Sequence, residues 1–187
     1  GWNQFLQRLQ GRLAMQFDLI DRADPPRLKA AFGPGQGVEA CLSHAAESKS
    51  VSHLIIARSK RHKLDLQLRF TERLSDCHDI GLNANLSSGK EDASIDLCRR
   101  AFDVIVSEIH PFYAYVDRGS VVRSYSKATG SVVLERELVG VFWLTYFGPH
   151  CVRKIGKERF RKLGDLCNDF ESGIKVQLAP KPADVGQ

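Results

Sequence analysis

The sequence predicts an α+β protein: a single domain with a mainly antiparallel sheet of about six to eight strands, covered by one long helix and smaller helices. Three observations carry this. His62 to Phe70 alternates strictly, with Leu64, Leu66, Leu68 and Phe70 facing one way and Asp65, Gln67 and Arg69 the other. Glu91 to Ile109 repeats apolar residues at three and four (Ile95, Cys98, Phe102, Ile105, Ile109), the period of an amphipathic helix. Strand-like runs follow one another without regular intervening helices, which favours hairpins over parallel crossover units. Of the 187 residues, 43% are apolar and 26% charged, which excludes intrinsic disorder. The domain is expected over 1–179, with 180–187 as a flexible tail.

From the N-terminus, Phe5, Leu6, Leu9 and Leu13 have helical spacing interrupted by Gly11, and Ala14 to Ile20 alternates as a strand does. Asp24-Pro25-Pro26 stops that strand, and Arg27 to Phe32 is expected to form a helical turn with Asp24 as its cap. Gly33 to Gly37 is a loop; no Lys-Ser/Thr pair follows it, so it lacks the chemistry of a phosphate-binding loop. Val38 to Ser48 is a helix and Val51 to Arg58 a strand. The basic turn Arg58 to Lys63 joins that strand to His62–Phe70 as a hairpin, and Ile80 to Leu86 continues the meander.

After the long helix, Pro111 is a stop, and Phe112–Val116, Ser120–Ser126 and Ser131–Leu134 are strand candidates. Gly140 to Phe147 is apolar on both faces, so it should be a central strand covered on both sides. Gly148-Pro149 leads into a helix over His150 to Leu163, in which Gly156 costs about 1 kcal/mol relative to Ala and is a point of kinking or splitting. Gly173 to Leu178 is the last strand.

Candidate chemistry is sparse. The five cysteines (Cys41, Cys77, Cys98, Cys151, Cys167) are odd in number and form no CxxC, which reads as a reducing compartment. Cys77-His78-Asp79 and His150-Cys151 are adjacent, whereas zinc ligands are spaced by two to four residues, so no metal and no cofactor are expected. No serine sits in a G-x-S-x-G elbow and no cysteine has a nucleophile's flank, so no catalytic residue is assigned. The longest apolar run, Leu138 to Phe147, is far short of the ~20 residues of a membrane span, and no membrane partner is expected. Phe112, Tyr113 and Tyr115 lack an RNP-like context and read as packing residues.

Charge is more informative. The net charge is +5, and the segment His150 to Gly164 holds six basic residues against the single acid Glu158, an excess equal to the whole. On a continuous helix, Arg153, Lys157 and Arg161 lie four apart and form one ridge, the predicted partner-binding site. Arg58, Lys60, Arg61 and Lys63 form a second cluster in the hairpin turn, where charge also protects a sheet edge.

The run Gly140-Val141-Phe142-Trp143-Leu144-Thr145-Tyr146-Phe147-Gly148-Pro149, followed by Val152, Ile155-Gly156 and Glu158-Arg159, resembles a strand–turn–helix pattern of bacterial immunity proteins from polymorphic-toxin and type VI secretion systems. Gly173 to Leu178 with Pro180 resembles the terminal strand and ending of that family, and Pro111 to Asp117 its aromatic strand. The match covers the C-terminal part of the chain well and the rest only in the order of elements. It implies a small cytoplasmic protein that binds a cognate toxin or effector and blocks it, with no catalysis of its own. No inhibitory residue carries over, because toxin contacts vary within the family. The family often has an acid near Arg153, whereas this helix is basic, so an acidic toxin surface is the expected complement. The alternative from the same charges is a nucleic-acid-binding module using the basic ridge, with steeply salt-dependent binding. An enzyme whose site assembles only in the fold would instead need a deep pocket with convergent polar groups.

Overall fold

A computed structural model describes residues 1–46, 52–71, 78–84, 91–118, 121 and 140–182. The chain is α+β with antiparallel strands throughout, and the described strands form two four-stranded sheets. Contacts divide it into two compact units, Gly1–Ala101 and Phe102–Gln187.

The first unit opens with α1 (Trp2–Leu13), which buries Phe5, Leu6, Leu9 and Leu13, the stripe its spacing predicts. Ala14 ends it in the left-handed conformation (φ 49°), and the Met15 amide donates to the Gln10 carbonyl. Of the expected first strand, Ala14–Ile20, only Leu19 and Ile20 pair, within β1 (Leu19–Asp21). The helical turn predicted at Arg27–Phe32 is absent. Lys29 instead bridges back to Leu19, the Ile20 amide donates to the Leu28 carbonyl, and the Ala30 amide donates to the Asp18 carbonyl. The backbone groups that a helix would have paired internally are spent on this return strand.

Asp21 anchors the turn. Its carboxylate accepts the amides of Arg22 (2.7 Å) and Arg27 (3.1 Å). Burial raises its pKa, but the bonds from the backbone amides of Arg27, Arg22, Ala23 and Leu28 outweigh that and hold it below the ordinary value. Because the folded-state pKa is depressed, the stabilisation is present above the ordinary carboxylate range and is lost as pH falls through the folded value. Protection of the amides over 22–28, taken relative to intrinsic exchange at each pH, should therefore fall below about pH 4. Asp21→Asn should show faster exchange at neutral pH and lose the acid dependence, which hydrogen-exchange NMR would read directly.

Helix α2 (Gly37–Ala46) is followed by β2 (Ser52–Ser59), β3 (Leu64–Thr71) and β4 (His78–Ala84), giving the order β1-β2-β3-β4. The predicted hairpin is present, with Arg58 opposite Asp65 and Ser59 opposite Leu64 beside the turn. Leu64, Leu66 and Leu68 are buried on one face, joined in the core by Leu6, Leu9, Phe17, Val38, Ile55 and Ile56. Each such side chain contributes about 1.5–3 kcal/mol relative to exposure. Trp2 packs edge-on against Phe5 and Phe70.

Helix α3 (Glu91–Ile109) has the predicted bounds and continues into the second unit. Its buried set is broader than the predicted stripe: Ile95 and Phe102 are buried, and so are Leu97, Ala101, Val104 and Val106, while Cys98, Ile105 and Ile109 are half-buried. In the second unit β5 (Tyr113–Val116), β6 (Leu144–Phe147), β7 (Cys167–Phe170) and β8 (Gly173–Gln177) take the order β5-β6-β8-β7. Asp103 of α3 accepts from Lys175 Nζ of β8 at 2.8 Å. The candidates at Ser120–Ser126 and Ser131–Leu134 lie outside the described residues, apart from Val121.

β6 is an inner strand, and all four of its residues are buried, as expected of a strand apolar on both faces. It begins later than Gly140, and the reason is hydrogen bonding. The Phe142 amide donates to Thr145 Oγ1 (2.8 Å) and the Trp143 amide to Asp117 Oδ2 (2.9 Å), so side chains replace ladder partners there. Trp143 Nε1 donates to the Ala179 carbonyl and the Leu178 amide to the Trp143 carbonyl. Pro182 is buried, and its carbonyl accepts from Arg118 Nε at 3.3 Å.

Tyr146 is fully buried, and its hydroxyl has no hydrogen-bond partner among the described residues. A buried hydroxyl without a partner is destabilising. Tyr146→Phe should therefore raise stability by about 1 kcal/mol. Urea unfolding checks it, and a loss of stability would mean that the hydroxyl is hydrogen-bonded.

Candidate interaction surfaces

The predicted basic ridge does not form as a ridge. The segment after Gly148 is two helices, α4 (Pro149–Ile155) and α5 (Lys157–Arg161), separated by Gly156 at φ 96°, ψ 122°. That backbone conformation is accessible to glycine and costly for other residues. Four-residue spacing aligns side chains only along one continuous helix. Arg153 therefore lies on α4, while Lys157 and Arg161 lie on α5.

All three side chains are exposed. Lys157 reaches Asp169 on β7 at 3.0 Å, and Arg161 pairs with Glu158. Exposed pairs of this kind contribute about 0–1 kcal/mol and can exchange partners readily. Arg153, Lys154, Arg159 and Lys162 are exposed and have no acidic partner among the described residues. Leu163 (38% exposed) and Leu166 (42% exposed) follow in the short 3₁₀ segment and its lead-in. Beneath, Phe160, Val152, Ile155 and Cys151 pack on Phe147, Ile174 and Val176, so the basic surface is fixed to the β6–β8 pair.

The basic turn of the first unit behaves differently. Arg58 is bound to Asp65 through two bonds of 2.6 Å, which raises its pKa. Lys60, Arg61 and Lys63 are exposed and have no acidic partner among the described residues. Beside them lies an open cavity of about 700 Å³. The polar face of α1 (Gln7, Gln10), the Met15–Asp18 segment, Phe32 and the turn residues Arg61 and His62 line it. Composition drew attention to the turn but not to the cavity. The available signal is the three-residue spacing of Gln7 and Gln10, which places two amides on the α1 face away from Leu6 and Leu9.

The other candidates fall apart in three dimensions. Cys77 lies outside the described residues. Cys151 is buried and its thiol lies 3.2 Å from the Phe112 carbonyl, while His150 points to solvent. Among the described residues no group of three or more His, Cys, Asp or Glu is placed to hold a metal ion. Burial pushes up the thiols of Cys41, Cys151 and Cys167, and that of Cys98 to about 11, so these are not activated thiolates. Tyr113 packs against Tyr115 and Phe147, and its hydroxyl donates to the Gly140 carbonyl at 2.6 Å. Tyr115 stacks on Phe142 at 4.4 Å, which accounts for these rings as packing. Among the described residues no helix is long and apolar enough to cross a membrane.

Comparison with protein-family models, with curated proteins and with solved structures finds no match to this chain.

Proposed function

We propose that this chain is an immunity protein that binds and neutralises a cognate bacterial toxin of a polymorphic-toxin or type VI secretion system in the cytoplasm, without catalysis. The observation that carries the reading is the resemblance of Gly140–Pro149 and the segment after it to the strand–turn–helix pattern of such proteins. The contact surface is the α4–α5 segment. Its exposed cations, including Arg153, Lys157 and Arg161, are followed along the chain by the exposed Leu163 and Leu166, so the segment offers both charged and apolar side chains to a partner. An acidic patch on the toxin is the complement. The loss of a straight ridge favours a folded protein partner over a duplex, whose phosphates run in regular register.

The test is co-expression with a secreted toxin drawn from the genes that adjoin this one. Protection by the wild-type chain, together with at least tenfold weaker binding by Arg153→Glu/Lys157→Glu/Arg161→Glu, supports both the role and the surface. Persistent toxicity in the presence of abundant folded protein defeats the role. Steeply salt-dependent binding to nucleic acid, without protection, would replace it with the nucleic-acid reading.

A further inference from the structure

We infer that the open cavity of the Gly1–Ala101 unit is a groove that takes an extended, acidic peptide segment. This goes beyond the toxin reading and does not depend on it. The cavity, at about 700 Å³, lies within the ~300–1,000 Å³ range of clefts that enclose ligands. Its floor is apolar: Phe17 and Met15 are 1% and 7% exposed. Its walls carry hydrogen-bonding groups that are fixed in place yet unspent.

Gln10 is the clearest. Its Oε1 accepts the Phe17 amide at 2.7 Å, which fixes the side-chain amide and identifies its oxygen. The two N–H donors on Nε2 then have no partner among the described residues, and Gln10 lines the cavity. His62 is held in the same manner: its Nδ1 lies 3.1 Å from Oγ of Ser59, which is fully buried, so the ring is oriented and Nε2 is its remaining polar atom. Gln7 adds an exposed side-chain amide on the same wall. Carboxamides match the alternating donors and acceptors of an extended peptide backbone, the chemistry by which grooves take main chain.

Charge sets the class of peptide. Arg61 lines the cavity, with Lys60 and Lys63 in the same turn, and all three lack acidic partners among the described residues. The one acid in the lining is Asp18, and one of its carboxylate oxygens is already occupied by the Lys60 amide at 2.7 Å. Within the lining Arg61 and Asp18 balance in formal charge, and the positive excess comes from Lys60 and Lys63 of the adjoining turn; Arg61 is suited to bidentate pairing with an incoming Asp or Glu.

The experiment pans a displayed library of random peptides against the full chain. Enriched peptides are then titrated with the wild type, with Arg61→Glu and with Arg153→Glu. Arg61 is exposed and has no acidic partner among the described residues, so its reversal leaves the core untouched; circular dichroism verifies that. The expected result is enrichment of peptides containing Asp or Glu, with at least tenfold weaker binding to Arg61→Glu and less than twofold change for Arg153→Glu. No enrichment, enrichment of peptides without acids, or peptides that bind Arg61→Glu as tightly as the wild type would overturn the groove. Failure of toxin protection bears on the proposed function alone, so the two can fail separately.

Discussion

Gly173→Ala is expected to destabilise the second unit by about 3 kcal/mol, the upper part of the range for overpacking a close-packed site. Gly173 is buried where β8 begins, opposite Phe170. A Cβ there would stand 2.3 Å from the Phe147 carbonyl oxygen and 2.7 Å from Cζ and the hydroxyl oxygen of Tyr146. The first contact is to the backbone of the neighbouring strand, which cannot rotate aside. The second is to the tip of a ring packed edge-on against Phe170. Relief therefore requires β6 and β8 to separate at the end where Phe147 pairs with Ile174. Urea unfolding followed by near-ultraviolet circular dichroism checks the magnitude. The double variant Gly173→Ala/Tyr146→Phe should recover part of the loss, because it removes one of the atoms in collision. A recovery no larger than the gain of Tyr146→Phe alone would assign the whole cost to the Phe147 carbonyl.

Asn3→Ala should cost the first unit about 2–3 kcal/mol. Asn3 is 4% exposed, which is unusual for an amide on a helix. Its Oδ1 accepts the Val38 amide at 3.0 Å, and its Nδ2 donates to the Gln36 carbonyl at 2.9 Å. Asn3 thus satisfies an amide in the first turn of α2 from a position 35 residues away. Alanine leaves that buried N–H and the Gln36 carbonyl without these partners. Asn3→Asp separates the two contributions: it keeps the acceptor for Val38 but sets a carboxylate oxygen against the Gln36 carbonyl. Both variants should lower the urea midpoint. If Asn3→Asp unfolds as the wild type does, the Gln36 bond contributes nothing.

Elements with local signals were legible in the sequence. The α3 bounds follow from period, acidic first turn and terminating proline, and β3 from strict alternation. What sequence could not supply was pairing between distant residues. Asp117 caps the Trp143 amide from 26 positions away, and that single bond helps decide where β6 starts. β7 went unread because its Asn168 and Asp169 are exposed, so an edge strand of four residues carried no hydrophobic period. The Arg27–Phe32 segment looked helical because Asp-Pro-Pro is a good helix start, yet tertiary pairing with β1 and its lead-in overrode that preference. In the candidate surfaces, the basic residues were visible from composition alone. Their geometry was not, because the Gly156 backbone turns a local helix weakness into a division of one charged face into two. The groove was least legible of all, since its defining group is Gln10, a residue whose role depends on which amide its oxygen meets.

The two tryptophans fall one to each unit. Trp2 lies half-buried between Phe5 and Phe70, whereas Trp143 is 3% exposed with its indole N–H bonded to a carbonyl. The molecule therefore carries its own pair of optical reporters, in environments of different polarity. Trp2→Phe would leave emission that follows the second sheet alone, and Trp143→Phe emission that follows the first. Each half of the chain can thus be watched as it unfolds or meets a partner, without attaching a dye.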